Sequence, residues 1–167
     1  MNAWEGGNVG TWEREDVGTD GRPRGVRRFE DLQVWQAARE LARGVYRAAQ
    51  TQKLARDLAL RHQMTRAAVS VSSNIAEGYE RGTRKQHIEF CYVAKGSSGE
   101  LRSQVILARD VGLLDEKAFT WLMEQCDKTS RLLANYIRHL QRSQTHIPGD
   151  KFARVRPRTT EGTETGE

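Results

Sequence analysis

In Ser70-Val71-Ser72-Ser73-Asn74-Ile75-Ala76-Glu77-Gly78-Tyr79, apolar and polar residues interleave at helical spacing. Val71 and Ile75 continue a stripe that begins upstream at Leu60, Met64 and Ala67. Steps of three and four residues mark an amphipathic helix. Ser70, Ser73, Asn74 and Glu77 repeat at the same spacing on an adjoining face. Serine and asparagine compete for the backbone and are indifferent helix formers, so a run of them inside a helix requires a purpose. Gly78 reads as the residue that stops the helix in the left-handed conformation, with Tyr79 covering the last turn. The helix is thus expected to end on a polar face that carries a carboxylate.

The same periodicity recurs on either side. A first helix is expected from near Phe29, capped by Asp31, with Leu32, Trp35, Ala38, Ala42, Val45 and Ala49 on its apolar stripe. The second helix runs from about Arg56 to Glu77. After a polar turn from Gly78 to Gly82, Thr83 opens a capping box with Gln86 and starts a third helix that reaches about Val111. Its inner stripe is Cys91, Ala94, Ser98, Leu101, Val105 and Ala108. Around that stripe cluster Gly96, Ser97, Ser98 and Gly99. Each glycine inside a helix costs about 1 kcal/mol relative to alanine, so the cluster implies close approach by another helix. Gly112 ends the third helix and Asp115 caps a fourth, with Phe119, Leu122, Cys126, Thr129, Leu133, Tyr136 and Leu140 on its stripe to about Arg142.

Four helices of roughly 20 to 29 residues joined by short polar turns predict an all-α, antiparallel up-down-up-down four-helix bundle. Residues 1–28 and 143–167 show no apolar period and read as disordered tails on a bundle of residues 29–142, which is expected to fold without them. No apolar run is long enough to span a membrane, and the N-terminus lacks the basic start and apolar core of a signal peptide. Cys91 and Cys126 lie on apolar stripes and read as reduced core thiols, which points to the cytoplasm.

The net charge is +5. Acids and bases cancel in each tail, so the excess belongs to the bundle. Arg39, Arg43 and Arg47 recur every fourth residue of the first helix, and Lys128, Arg131, Arg138 and Arg142 lie on one side of the fourth. Such stripes are commonly solvated faces, and no aromatic residues are read as interleaving these charges in the manner of a single-strand stacking platform. Arginine without lysine, as on the first helix, is also the choice for phosphate, and the two stripes merge if the first and fourth helices are neighbours.

Phe29-Glu30-Asp31-Leu32-Gln33-Val34-Trp35, followed by Ala67-Ala68-Val69-Ser70-Val71, Ser73-Asn74-Ile75-Ala76-Glu77-Gly78 and then Phe90-Cys91-Tyr92-Val93-Ala94-Lys95-Gly96-Ser97-Ser98-Gly99-Glu100-Leu101, resembles the four-helix-bundle family of proteins encoded in intervening sequences of 23S ribosomal RNA genes. The resemblance covers about Phe29 to Arg142. It implies self-association into a homo-oligomer, a pentameric ring. The superfamily includes accessory variability proteins of diversity-generating retroelements, basic pentamers that work with a reverse transcriptase and its RNA. Gly99 departs from the family, which usually has alanine or an apolar residue there.

Two function classes follow. One is a non-enzymatic oligomeric module that binds RNA or DNA, or a nucleic-acid enzyme such as a reverse transcriptase, through the basic face. The other is a protein–protein scaffold in which Ser70, Ser73, Asn74, Glu77 and Gly78, with Tyr92, Ser97, Ser98 and Glu100 of the third helix, form the assembly interface. An enzyme is not expected. Di-iron bundles need Glu-x-x-His on two helices, and none occurs among His62, His87, His139 and His146. Nor is there a Gly-x-Ser-x-Gly elbow, a Walker loop or a Cys-x-x-Cys pair, so neither metal nor cofactor is expected.

Overall fold

The computed structural model describes residues 26–142. A 3-10 turn at Phe29–Asp31 leads into α1 (Gln33–Ala49) and a short helix α2 (Gln52–Arg56). The long helices α3 (Leu58–Glu80), α4 (Arg84–Asp110) and α5 (Glu116–Arg142) follow. With α1 these form an up-down-up-down bundle. α1 packs on α3 and α5, and α4 packs on the same two, so α1 and α4 are diagonal. The expected tails lie outside the described residues except for residues 26–28.

The core occupies the two halves of the bundle. Near the α1–α2 end, Leu41, Val45, Leu54, Met64, Leu101, Val105 and Leu122 pack together. Near the other end, Val34, Ala38, Val71, Ile75, Cys91, Leu133, Ile137 and Leu140 do so. Every residue on the expected inner stripe of the third helix is buried in α4. Between the halves, Ser98 of α4 and Thr129 of α5 bury hydroxyls that find no partner among the described residues.

Helix ends follow local polar chemistry. Asp57 Oδ1 accepts the Leu60 N–H at 2.9 Å, and Asp115 Oδ1 accepts that of Ala118 at 2.7 Å. The Thr83 hydroxyl accepts from the Gln86 amide at 3.3 Å and donates to Gln86 Oε1 at 2.8 Å. These satisfy donors that a helix leaves unpaired.

Three expectations are corrected. Asp31 does not cap α1: its Oδ2 accepts the Arg27 and Arg28 N–H groups, each at 3.1 Å, closing the 3-10 turn. α1 then starts after Leu32, without a side-chain cap. Gly78 does not stop α3 either. The helix runs to Glu80, Arg81 is its C-cap, and Gly82 takes the left-handed conformation at φ 79°. Gly78 instead sits where α4 crosses. A Cβ there would lie 2.7 Å from Phe90 Cβ and 3.2 Å from the His87 carbonyl oxygen. Conversely, Gly96 and Gly99 are not points of close approach among the described residues, because a Cβ on either meets nothing there within 4 Å. The close approaches are made by Gly78 and by Gly44, whose Cβ would fall 1.9 Å from Trp121 Cζ3.

Candidate functional site

The polar run of α3 divides into a seam and a surface. Ser70 and Ser97 share a hydrogen bond at 2.8 Å between α3 and α4. Asn74 Nδ2 donates to Ser70 Oγ at 3.0 Å and to the Ser70 carbonyl at 2.7 Å, and the Ser97 hydroxyl donates to the Val93 carbonyl at 3.1 Å. Ser70, Asn74 and Ser97 therefore form one satisfied network, which fixes the α3–α4 register. Ser73 and Glu77 stand on the surface of the single chain. Glu77 Oε1 receives Arg81 Nη2 at 2.6 Å. Glu100 accepts from Gln104 Nε2 at 3.1 Å and pairs with Arg66 at 3.5 Å. Tyr92 is exposed and its hydroxyl accepts from Gln141 Nε2 of α5 at 3.2 Å. Ser98 points into the core, away from the seam.

The outward side of α4 carries large apolar side chains among exposed charges such as Lys95, Glu100, Arg102 and Asp110. Tyr92, Val93, Ile106 and Leu107, with Val111 at the C-cap, are large and exposed, whereas α5 exposes none of its large apolar side chains. Gly96, Gly99 and Ser103 lie between the two apolar groups on the same exposed side. The result is a strip of helix with a low middle and raised ends.

The two groups of basic residues lie on α1 and α5, which pack against each other. Arg39 and Arg43 are exposed on α1, and Arg131, Arg138 and Arg142 on α5, with Lys128 half-buried. Glu40 moderates the charge: its carboxylate takes Arg43 Nη1 at 3.0 Å and Arg47 Nη2 at 3.4 Å. The Arg47 guanidinium also lies over the Trp121 ring at 5.1 Å from its centroid. Arg138 hydrogen-bonds Asn135 Oδ1 within α5.

The shifted titratable groups favour their neutral forms. His87 is buried between the ring edges of Tyr79 and Tyr136, and burial pushes its pKa down to about 4. Burial pushes both Cys91 and Cys126 up to about 12, and raises Tyr136 as well. Neutral imidazole and protonated thiols make poor acids and nucleophiles at neutral pH. Among the described residues, no group of three or more His, Cys, Asp or Glu is placed to hold a metal ion. No described helix is long and apolar enough to cross a membrane.

Sequence reasoning missed the exposed apolar residues of α4, the Gly44–Trp121 contact and the aromatic Tyr46 on the arginine side of α1. One signal was available for the contact. Gly44 falls in phase with the buried Leu41 and Ala48, where a helix glycine has a cost to explain.

A crystal structure described as a protein with unknown function from the S23 ribosomal protein family of Bacteroides thetaiotaomicron VPI-5482 is similar in fold, with a TM-score of 0.58 and 17% identity over 63% of this chain and 98% of that one. No curated protein matches the chain. The family model described as 23S rRNA-intervening sequence protein matches residues 30–135. The chain belongs to the 23S rRNA-intervening sequence protein family.

Proposed function

We propose that the protein is a non-enzymatic helical module that associates with copies of itself through the outward side of α4 and turns its α1–α5 side toward nucleic acid. The observation that carries self-association is the concentration of exposed large apolar side chains on α4, around glycines whose Cβ positions are open. A second helix can approach such a strip closely, and the burial gained offsets the helix propensity that Gly96 and Gly99 forfeit. Val93→Glu combined with Leu107→Glu should leave the helical signal intact and shift the mass measured by light scattering toward a single chain. A wild-type protein that is monomeric at micromolar concentration overturns this part.

The nucleic-acid part rests on the adjacency of α1 and α5, which brings Arg39, Arg43, Arg131 and Arg138 onto neighbouring exposed helices. Phosphate contacts of this kind are independent of sequence and fall steeply with salt. Replacing Arg39, Arg43 and Arg47 with Gln keeps helix propensity and removes charge. That variant should retard mixed-sequence RNA far less than the wild type at low salt. Equal retardation removes α1 from the binding surface. A scaffold for protein partners alone is the second reading, and Glu40, which engages two of the three arginines, favours it.

A further inference from the structure

Tyr46 stands on the outer side of α1 and is 49% exposed. It lies three residues after Arg43 and seven after Arg39, and at helical periodicity that spacing puts its ring on the same side as both exposed guanidinium groups. A tyrosine left there forfeits the burial that makes aromatic residues valuable in a core. Packing therefore accounts for only about half of the ring. The carboxylate on this stretch is Glu40, and it is occupied by Arg43 and Arg47. Beside them Trp121 of α5 lies half-buried beneath the Arg47 guanidinium. Trp121 packs against Gly44, two residues before Tyr46 and so on the other flank of α1, which leaves Tyr46 as the exposed ring beside Arg39 and Arg43.

We propose that this side of α1 binds single-stranded nucleic acid, with phosphates on Arg39 and Arg43 and one base stacked on Tyr46. The inference rests on the nucleic-acid reading above and narrows it. A row of arginines tracks any phosphate backbone, duplex or single-stranded. An exposed ring adds affinity only where a base face is available, and in a duplex the base faces are already stacked on each other. Every base has such a face, so the preference is for strandedness rather than sequence.

The test uses the full chain and a fluorescein-labelled mixed-sequence RNA 20-mer, alone and annealed to its complement, in low salt. Tyr46→Ala should weaken binding to the single strand about 5- to 150-fold, the range corresponding to one base–aromatic stack, and leave duplex binding unchanged. Tyr46→Phe should bind the single strand as the wild type does. If Tyr46→Ala binds the single strand normally while the triple Arg→Gln variant does not, the stacking inference fails and the nucleic-acid reading stands. Equal weakening on both RNAs also overturns it, because the ring then supports the helix rather than a base. If the triple Arg→Gln variant binds as the wild type does, the underlying reading fails and this one falls with it.

Discussion

Gly78→Ala should destabilise the protein although it improves helix propensity. The added methyl lies 2.7 Å from Phe90 Cβ, 3.2 Å from the His87 carbonyl oxygen and 3.3 Å from His87 Cδ2. Carbon atoms pack best at about 3.5–4.0 Å, so the Phe90 contact is short by roughly 1 Å. Neither a Cβ nor a carbonyl oxygen can swing aside on a side-chain torsion. α3 and α4 must separate locally, along the seam that the Ser70–Ser97 hydrogen bond holds in register. Overpacking of a tight contact costs about 1–3 kcal/mol, and a backbone shift puts this case near the top of that range. Alanine returns about 1 kcal/mol of propensity, which leaves a net loss of about 2 kcal/mol. At a urea slope of about 2 kcal/mol/M, the unfolding midpoint followed by circular dichroism should fall by about 1 M with the slope unchanged. Gly96→Ala is the control, since its methyl meets nothing within 4 Å among the described residues. Measured on the dissociated chain, it should raise stability by up to about 1 kcal/mol. A Gly78→Ala variant as stable as the wild type would refute the close crossing of α3 and α4.

Other outcomes follow from buried and paired groups. Burial depresses His87 to about 4, so between that value and its ordinary 6.5 the unfolded chain binds the proton more readily. Its contribution to stability is complete above pH 6.5 and declines as pH falls toward 4, by up to about 3 kcal/mol. His87→Phe, which keeps a ring between Tyr79 and Tyr136, should flatten the stability profile over that window relative to wild type. Cys91 and Cys126, both pushed up to about 12 and buried, should resist a thiol-specific disulfide reagent at pH 8 and react only in denaturant. Fast labelling of the folded protein would show that one of these helices opens readily. Glu40→Gln releases Arg43 and Arg47 from their shared carboxylate and should tighten RNA binding up to about fivefold, the scale of an exposed ion pair. Unchanged affinity in a titration would place the RNA contact away from Glu40.

The four apolar stripes were legible because a helix repeats its buried side every three or four residues wherever its partners come from. The expected stripes of the second, third and fourth helices coincide with buried or half-buried residues of α3, α4 and α5. What escaped depended on distant residues. Gly78 and Gly82 are each plausible stops for α3, and Phe90 and His87 on the facing helix account for Gly78 being interior. The glycines of α4 pointed to a close approach by another helix, but no described helix fills the space beside them. Arg47 and Arg43 look equivalent by spacing. Their destinations differ because Trp121, far along the chain, lies within reach of only one of them. Tyr46 escaped because it falls off the buried stripe, where periodicity carries no information.

The packing of α1 against α5 also has a consequence for the order in which the protein comes together. α3 and α4 are joined by a short turn, as are α4 and α5, so each of these pairs can form as a local hairpin with little loop-closure entropy. The α1–α5 contact joins elements from opposite ends of the described chain and can form only once α5 exists. Trp121 reaches Gly44 and Arg47 at that step. Any surface built from both helices is therefore absent from a chain still lacking α5 and is lost if α1 detaches from an otherwise helical protein. A ligand that requires both helices distinguishes a finished molecule from a partly folded one, and its affinity reports the closure of the bundle.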